Sequence, residues 1–212
     1  DETFEGIIEN KDASGTTRSG ASVSITKVGT GDWKLTGNNT YSGTTTISEG
    51  RLLICGTHSG TGAVTVNDGG TLRGTGKIAG AVTVKSGGIV NPGDENTASS
   101  LTTNGSIKFE NGSRLKVGNS ALYANGAVTI DSGATLEVDT VEKPLAAGTE
   151  IQVFKGAFNI SGTFSSIEPS SPGEDLAWDT SKLYTEGKIK VYSSVPVKTY
   201  FIGGDGAFWD QS

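Results

Sequence analysis

Val64-Thr65-Val66-Asn67-Asp68-Gly69-Gly70-Thr71-Leu72-Arg73 reads as a short strand, a corner and a second short strand. Val64-Thr65-Val66 alternates apolar and polar side chains at the strand period of two. Asn67-Asp68-Gly69-Gly70 gathers residue types that accept left-handed backbone at little steric cost, so the chain turns there. Thr71-Leu72-Arg73 resumes the alternation. The skeleton is an apolar residue, a Gly three positions later, and an apolar residue three after that. It recurs as Ile47, Gly50, Leu53; Val66, Gly69, Leu72; Val84, Gly87, Val90; Phe109, Gly112, Leu115; and Ile130, Gly133, Leu136. The first members stand 19, 18, 25 and 21 residues apart. Antiparallel hairpins would place turn signals every ~8–12 residues, whereas a parallel solenoid uses one whole coil per repeat and stacks coils about 4.8 Å apart. The spacing fits whole coils. The expected fold is therefore all-β, a single-stranded parallel β-solenoid, with the long interval from Asn91 to Ser99 as a loop projecting from one coil.

Composition agrees with a narrow stack. Among 212 residues there are 32 Gly, about twice the average usage of roughly 7%, and apolar residues make up only 33%. A sphere of that composition would have a thin core, but a solenoid buries a few side chains per coil against its neighbours. The charged fraction of 19% and the regular recurrence of apolar residues argue against a disordered chain. A net charge of −6 argues against a basic phosphate-binding stripe, so no nucleic-acid partner is expected. Lys182, Lys188 and Lys190 are scattered among acids. No run approaches ~18 apolar residues, so no membrane-inserted helix is expected in this segment. Cys55, the only cysteine, follows Leu52-Leu53-Ile54 and reads as a buried, inert thiol. The lack of Met and the start at Asp1 read as a mature or excised segment.

The ends differ from the middle. Residues 1–139 are expected to form the coils. From 140 to 194 the pattern loosens, with strands at Glu150-Ile151-Gln152-Val153-Phe154 and Lys188-Ile189-Lys190-Val191-Tyr192, and this stretch is expected to be an atypical C-terminal cap that closes the core. Residues 195–212 read as a linker and the truncated start of a further unit.

One stretch is more specific than the rest: Gly29-Thr30-Gly31-Asp32-Trp33-Lys34-Leu35-Thr36-Gly37-Asn38-Asn39-Thr40-Tyr41-Ser42-Gly43-Thr44-Thr45-Thr46-Ile47, continuing through Glu49-Gly50-Arg51-Leu52. It resembles the autotransporter-associated β-strand repeat, or passenger-associated transport repeat. In that repeat a Gly-x-Leu strand leads into a Gly-x-Asn-Thr-Tyr-x-Gly turn and a Thr-rich strand. Thr3-Phe4-Glu5-Gly6-Ile7-Ile8, Gly88-Ile89-Val90-Asn91-Pro92-Gly93-Asp94 with Ser100-Leu101-Thr102, and the run from Leu176 to Val191 are similar to segments that flank it. Tyr200 to Asp210 looks like the opening of another unit. The resemblance implies a right-handed parallel β-helix in a large secreted or surface-anchored bacterial protein, located extracellularly or on the outer surface. There the repeat assists folding or passage of the passenger outside the cell. It further implies the remainder of a larger parent protein as a partner.

The chemistry expected is sparse. A β-helix enzyme needs clustered acids beside a basic residue on one face. Asp68, Asp131 and Asp139 near the turns, Asp94-Glu95 in the loop, and Arg73 and Arg114 on strands are the candidates. Asp beside Gly serves local hydrogen bonding in turns, so no catalytic residue is expected. His58, the only histidine, sits in Gly56-Thr57-His58-Ser59-Gly60, which reads as a solvated polar turn and leaves no triad or metal site. Gly203-Gly204-Asp205-Gly206 lacks the later Asp of a calcium repeat, and Gly74-Thr75-Gly76 has no helix after it to hold a phosphate. No cofactor is expected. Trp33, Tyr41, Tyr123, Trp178 and Tyr184 could form a carbohydrate-stacking platform, but large aromatics usually bury most of their surface. On that reading Trp33 and Tyr41 staple a coil edge, and Trp178 and Tyr184 plug the cap. The functional expectation is a non-enzymatic structural segment. The alternatives are an adhesin-like face for surface glycans or host proteins, and an accessory region of a polysaccharide-degrading enzyme.

Overall fold

The computed structural model describes residues 1–11, 14–16, 20–94, 99–140, 145–156, 159–196, 201–202 and 208–209. It contains strands and turns, and no helix among the described residues. Three parallel sheets form the three walls of a coil. The first wall stacks Ile25–Lys27, Thr45–Ile47, Val64–Val66, Val82–Val84, Ile107–Phe109, Val128–Ile130 and Ile160–Gly162. The second stacks Glu2–Phe4, Asp32–Leu35, Gly50–Ile54, Gly70–Gly74, Ile89–Pro92, Arg114–Val117, Thr135–Val138 and Ser166–Glu168. The third stacks Thr57–His58, Lys77–Ile78, Leu101–Thr103, Leu122–Ala124 and Phe154–Gly156. Every pairing within these walls is parallel, so the whole-coil reading holds and hairpins are excluded for the stack. Strands of two to five residues suffice because those inside each wall are held on both sides by their neighbours.

The register places like on like. On the first wall Ile47, Val66, Val84, Phe109 and Ile130 form one inward column. On the second, Leu52, Leu72, Val90, Leu115 and Leu136 form another, each fully buried. Between the inward residues of the first wall, Thr26, Thr46, Thr65, Thr83, Lys108, Thr129 and Ser161 point outward in a third column. One expected position moves. The inward residue of the first repeat is Leu52, not Leu53, because the corner Ser48-Glu49-Gly50 is one residue shorter than Asn67-Asp68-Gly69-Gly70. Leu53 instead pairs with Lys34 and Arg73 on the outer side of the wall.

Each corner carries its own glycines. At the first-to-second corner Gly112 has φ +78°, a backbone that disfavours any side chain, and its Cβ position is filled by the Ser86 side chain of the previous coil. Asp68 covers Gly87 and Asn111 covers Gly133 in the same way, so each turn residue roofs the glycine of the next coil. At the third-to-first corner Gly43, Gly62, Gly80, Gly105 and Gly126 follow one another. A Cβ on each of the last four would strike the carbonyl oxygen of the glycine one coil earlier. The second-to-third corner runs through Gly6, Gly37, Gly56 and Gly76 in the early coils.

The segment from 140 to 194 holds two things. One is the last described rung, Phe154–Gly156, Ile160–Gly162 and Ser166–Glu168, which extends the parallel stack beyond residue 139. The other is an antiparallel sheet of Glu150–Gln152, Lys188–Ser193 and Leu176–Asp179. The expected strand Glu150–Phe154 is thus split at Val153, its first part in the antiparallel sheet and Phe154 in the third wall. Phe164, Leu183 and Ile189 join the apolar cluster of the coils, with Trp178 and Tyr184 packed against it. Phe164 lies 6.0 Å from Phe109 and 6.2 Å from Phe154 between ring centroids. The Tyr184 hydroxyl accepts a hydrogen bond from Phe164 N at 2.8 Å, and Trp178 Nε1 donates to Pro169 O at 2.8 Å. Beyond 196, only an antiparallel pair, Phe201–Ile202 with Phe208–Trp209, is described. The Gly203-Gly204-Asp205-Gly206 stretch, Glu95 and most of the final unit lie outside the described residues.

Candidate functional site

The acids and bases singled out in the sequence come to separate places. Asp68 and Asp131 belong to the first-to-second corner. The Asp68 side chain fills the space beside Gly87, and Asp131 pairs with Lys108 at 3.0 Å. Asp94 lies at the second-to-third corner, 3.6 Å from Lys34. Asp139 also follows the second wall and is 3.7 Å from Lys116. Arg73 is 8% exposed in the outer column of the second wall, whereas Arg114 lies further along that wall.

The longest run of charge is a ladder on the outer side of the second wall. Arg114 reaches Glu168 at 2.7 Å and Glu137 at 3.5 Å. Lys116 reaches Glu137 at 2.8 Å, and the hydrogen bond from that ammonium holds the Lys116 pKa above its ordinary value. Near the opposite end of the wall, Arg51 pairs with Asp32. These pairs are partly exposed, so each adds little. Lys116→Ala is expected to lower unfolding stability by less than about 1 kcal/mol, read as a small shift in urea midpoint with unchanged slope.

A recess of about 220 Å³ is lined in part by Gly118, Asp139, Glu150, Gln152 and Lys155. Its carboxylates already have cationic neighbours, Asp139 beside Lys116 and Glu150 beside Lys188 at 3.1 Å. The hydrogen bond from Lys188 draws the Glu150 pKa below the ordinary carboxylate range. Among the described residues, no group of three or more His, Cys, Asp or Glu could hold a metal ion.

Two residues depart from expectation. His58 is not solvated: it is 1% exposed and stacked on Tyr41, with ring centroids 4.1 Å apart and planes 23° apart. Thr57-His58 is a two-residue strand whose second side chain points into the coil, between Asn39 and Ile78. A Gly-flanked polar pair carries no sequence signal for which member turns inward. Cys55 is half-buried rather than fully enclosed. The aromatics do not form an exposed row. Tyr41 is inside the coil, Trp33, Trp178 and Tyr184 pack against the core, and of the five named only Tyr123, at 38%, is exposed. No helix among the described residues is long and apolar enough to cross a membrane.

Comparison with known proteins bears on the same coils. Residues 25–54 match the family model described as Passenger-associated-transport-repeat. Over 71 residues, 33% of this chain, the sequence is 46% identical to the adhesin BmaC autotransporter of Brucella suis biovar 1 (strain 1330). The matched region makes up 2% of that protein's length. Residues 25–54 span the first-wall strand Ile25–Lys27 through the second-wall strand Gly50–Ile54 of the following coil, about one and a half turns of the stack. The matched stretch therefore lies wholly within the parallel β-solenoid, and over it the chain is similar to the passenger-associated transport repeat.

Proposed function

We propose that this chain is a non-enzymatic structural segment of a large exported bacterial protein, acting as a rigid stalk and assisting the folding and export of its passenger. The observation that carries this reading is the unbroken register of the second wall from Glu2–Phe4 to Ser166–Glu168. A stack in which each coil templates the next can fold progressively as it emerges, because each repeat meets only its neighbours. The repeat match and the autotransporter relative support a location on the bacterial outer surface. In this reading residues 140–194 act as the C-terminal cap, in which Leu183, Ile189 and Phe164 keep water from the last rung. Residues 195–212 are a linker into a further unit.

The test is made in the full-length gene. Deletion of residues 25–139 is expected to reduce passenger reaching the surface, measured as protease-accessible protein on intact cells. Surface yield equal to wild type would refute the export role. A second reading, an adhesive face for glycans or host surface proteins, is favoured by the adhesin relative. It predicts saturable glycan-array binding by the isolated chain. Absence of any binder at millimolar ligand would remove it.

A further inference from the structure

The only histidine of the chain lies where a charge has no counterpart. His58 is 1% exposed, and both ring nitrogens are buried without a hydrogen-bond partner. The groups facing it are few. From the preceding coil come Asn39 and the stacked Tyr41. The Asn39 side chain is already engaged, its Oδ1 accepting from Ile8 N at 2.9 Å and its Nδ2 donating to Gly37 O at 3.1 Å. The Tyr41 hydroxyl is 2.6 Å from Thr45 Oγ1, and burial raises its pKa, so it stays neutral. From the following coil comes Ile78, while the adjacent Lys77 is exposed beside Thr57. Glu9, on the segment laid over Asn39 and Tyr41, is paired with Lys11 at 2.8 Å. Among these groups the one carboxylate, Glu9, is already held by Lys11, so none is left to balance an imidazolium.

We propose that His58 makes the early coils acid-sensitive: protonation of this one side chain unseats the coils around residues 39–60 while the later coils keep their stack. An unpaired charge inside the coil must be rehydrated, and the least costly way is to part the coils at that level. Later inward positions of the same column, Ile78, Thr103 and Ala124, do not titrate. Burial pushes the imidazole below its ordinary value, outweighing the opposite pull of the nearby Asn39 backbone. The sign follows. Above pH about 6.5 the imidazole is neutral in folded and unfolded chain alike. As pH falls below that value the unfolded chain takes up a proton that the folded coil refuses. Opening then becomes more favourable by up to about tenfold per pH unit, until the depressed folded pKa is passed.

The test uses the intact chain. Because there is one histidine, its imidazole C–H resonances report one site. In the folded protein they are expected not to titrate at the ordinary midpoint of about 6.5. Amide hydrogen exchange, corrected for intrinsic rates, is expected to accelerate about fivefold over residues 39–60 between pH 6.5 and 5.5, with 101–139 unchanged. His58→Leu is expected to abolish that regional difference. Titration of the folded imidazole at or above 6.5, equal acid response in both regions, or the same regional loss in His58→Leu would each overturn the proposal. Should the Leu variant fail to fold, the wild-type titration and exchange still decide.

Discussion

Leu115→Ala is expected to cost about 2–5 kcal/mol of unfolding stability, the range for truncating a fully buried leucine. Leu115 is enclosed in the inward column of the second wall, with Val90 in the coil before it and Leu136 in the coil after. Truncation removes the methyl groups that meet both neighbours, so two coil–coil interfaces weaken at once. In a stack held mainly by nearest-neighbour contacts, the loss is not repaired elsewhere. Partial collapse of the cavity is resisted because the backbones are held apart by the parallel ladder, about 4.8 Å per step. Urea unfolding with far-ultraviolet circular dichroism measures the shift. A change below 1 kcal/mol would mean that Leu115 is not enclosed.

Gly80→Val is expected to destabilise by about 3 kcal/mol, at the upper end of the range for overpacking. The reason differs from that at Gly112, where the left-handed backbone itself excludes a side chain. At Gly80 the space is already occupied. A Cβ there would overlap the carbonyl oxygen of Gly62 and come within 3.0 Å of its carbonyl carbon. Those are backbone atoms of the previous coil, fixed by the hydrogen bond from Val64 N to Ala81 O at 2.8 Å and by the Val64–Val82 pairing beside it. The coils must part at that corner to admit the branch. Gly15, where a Cβ would meet nothing within 4 Å but φ is +78°, is the control for conformational cost alone. Gly15→Ala is expected to cost about 1 kcal/mol. Equal effects at the two sites would mean that close approach is not what selects glycine at position 80.

Much of the stack was legible because the periodic element is a corner rather than a helix face or long strand. The glycine skeleton at 50, 69, 87, 112 and 133 marks one corner of the coil. The same intervals of 19, 18, 25 and 21 separate Gly43, Gly62, Gly80, Gly105 and Gly126, a column that the strand–glycine–strand pattern does not pick out. Read together, the two columns would have fixed the register independently. Where the sequence misled, the cause is local geometry. The shortened corner at Ser48-Glu49-Gly50 moves the inward position to Leu52. Val153 turns the chain between two sheets without a Gly or Pro to announce it. Inward placement of His58 depends on the phase of a strand only two residues long. Candidate chemistry was harder to judge. Charges such as Asp139 and Arg114 look free in sequence, and only the stacked register reveals Lys116, Glu137 and Glu168 beside them.

The outward column of the first wall gives the most direct test of in-register parallel stacking. One spin label is placed at Thr26 and a second, in separate variants, at Lys108, Thr129 or Ser161. These positions lie four, five and six coils along the same column. With about 4.8 Å per coil, the backbone separations are about 19, 24 and 29 Å, and dipolar distances should rise in equal steps. Distances that fail to rise in that order, or that fall between Thr129 and Ser161, would contradict the solenoid.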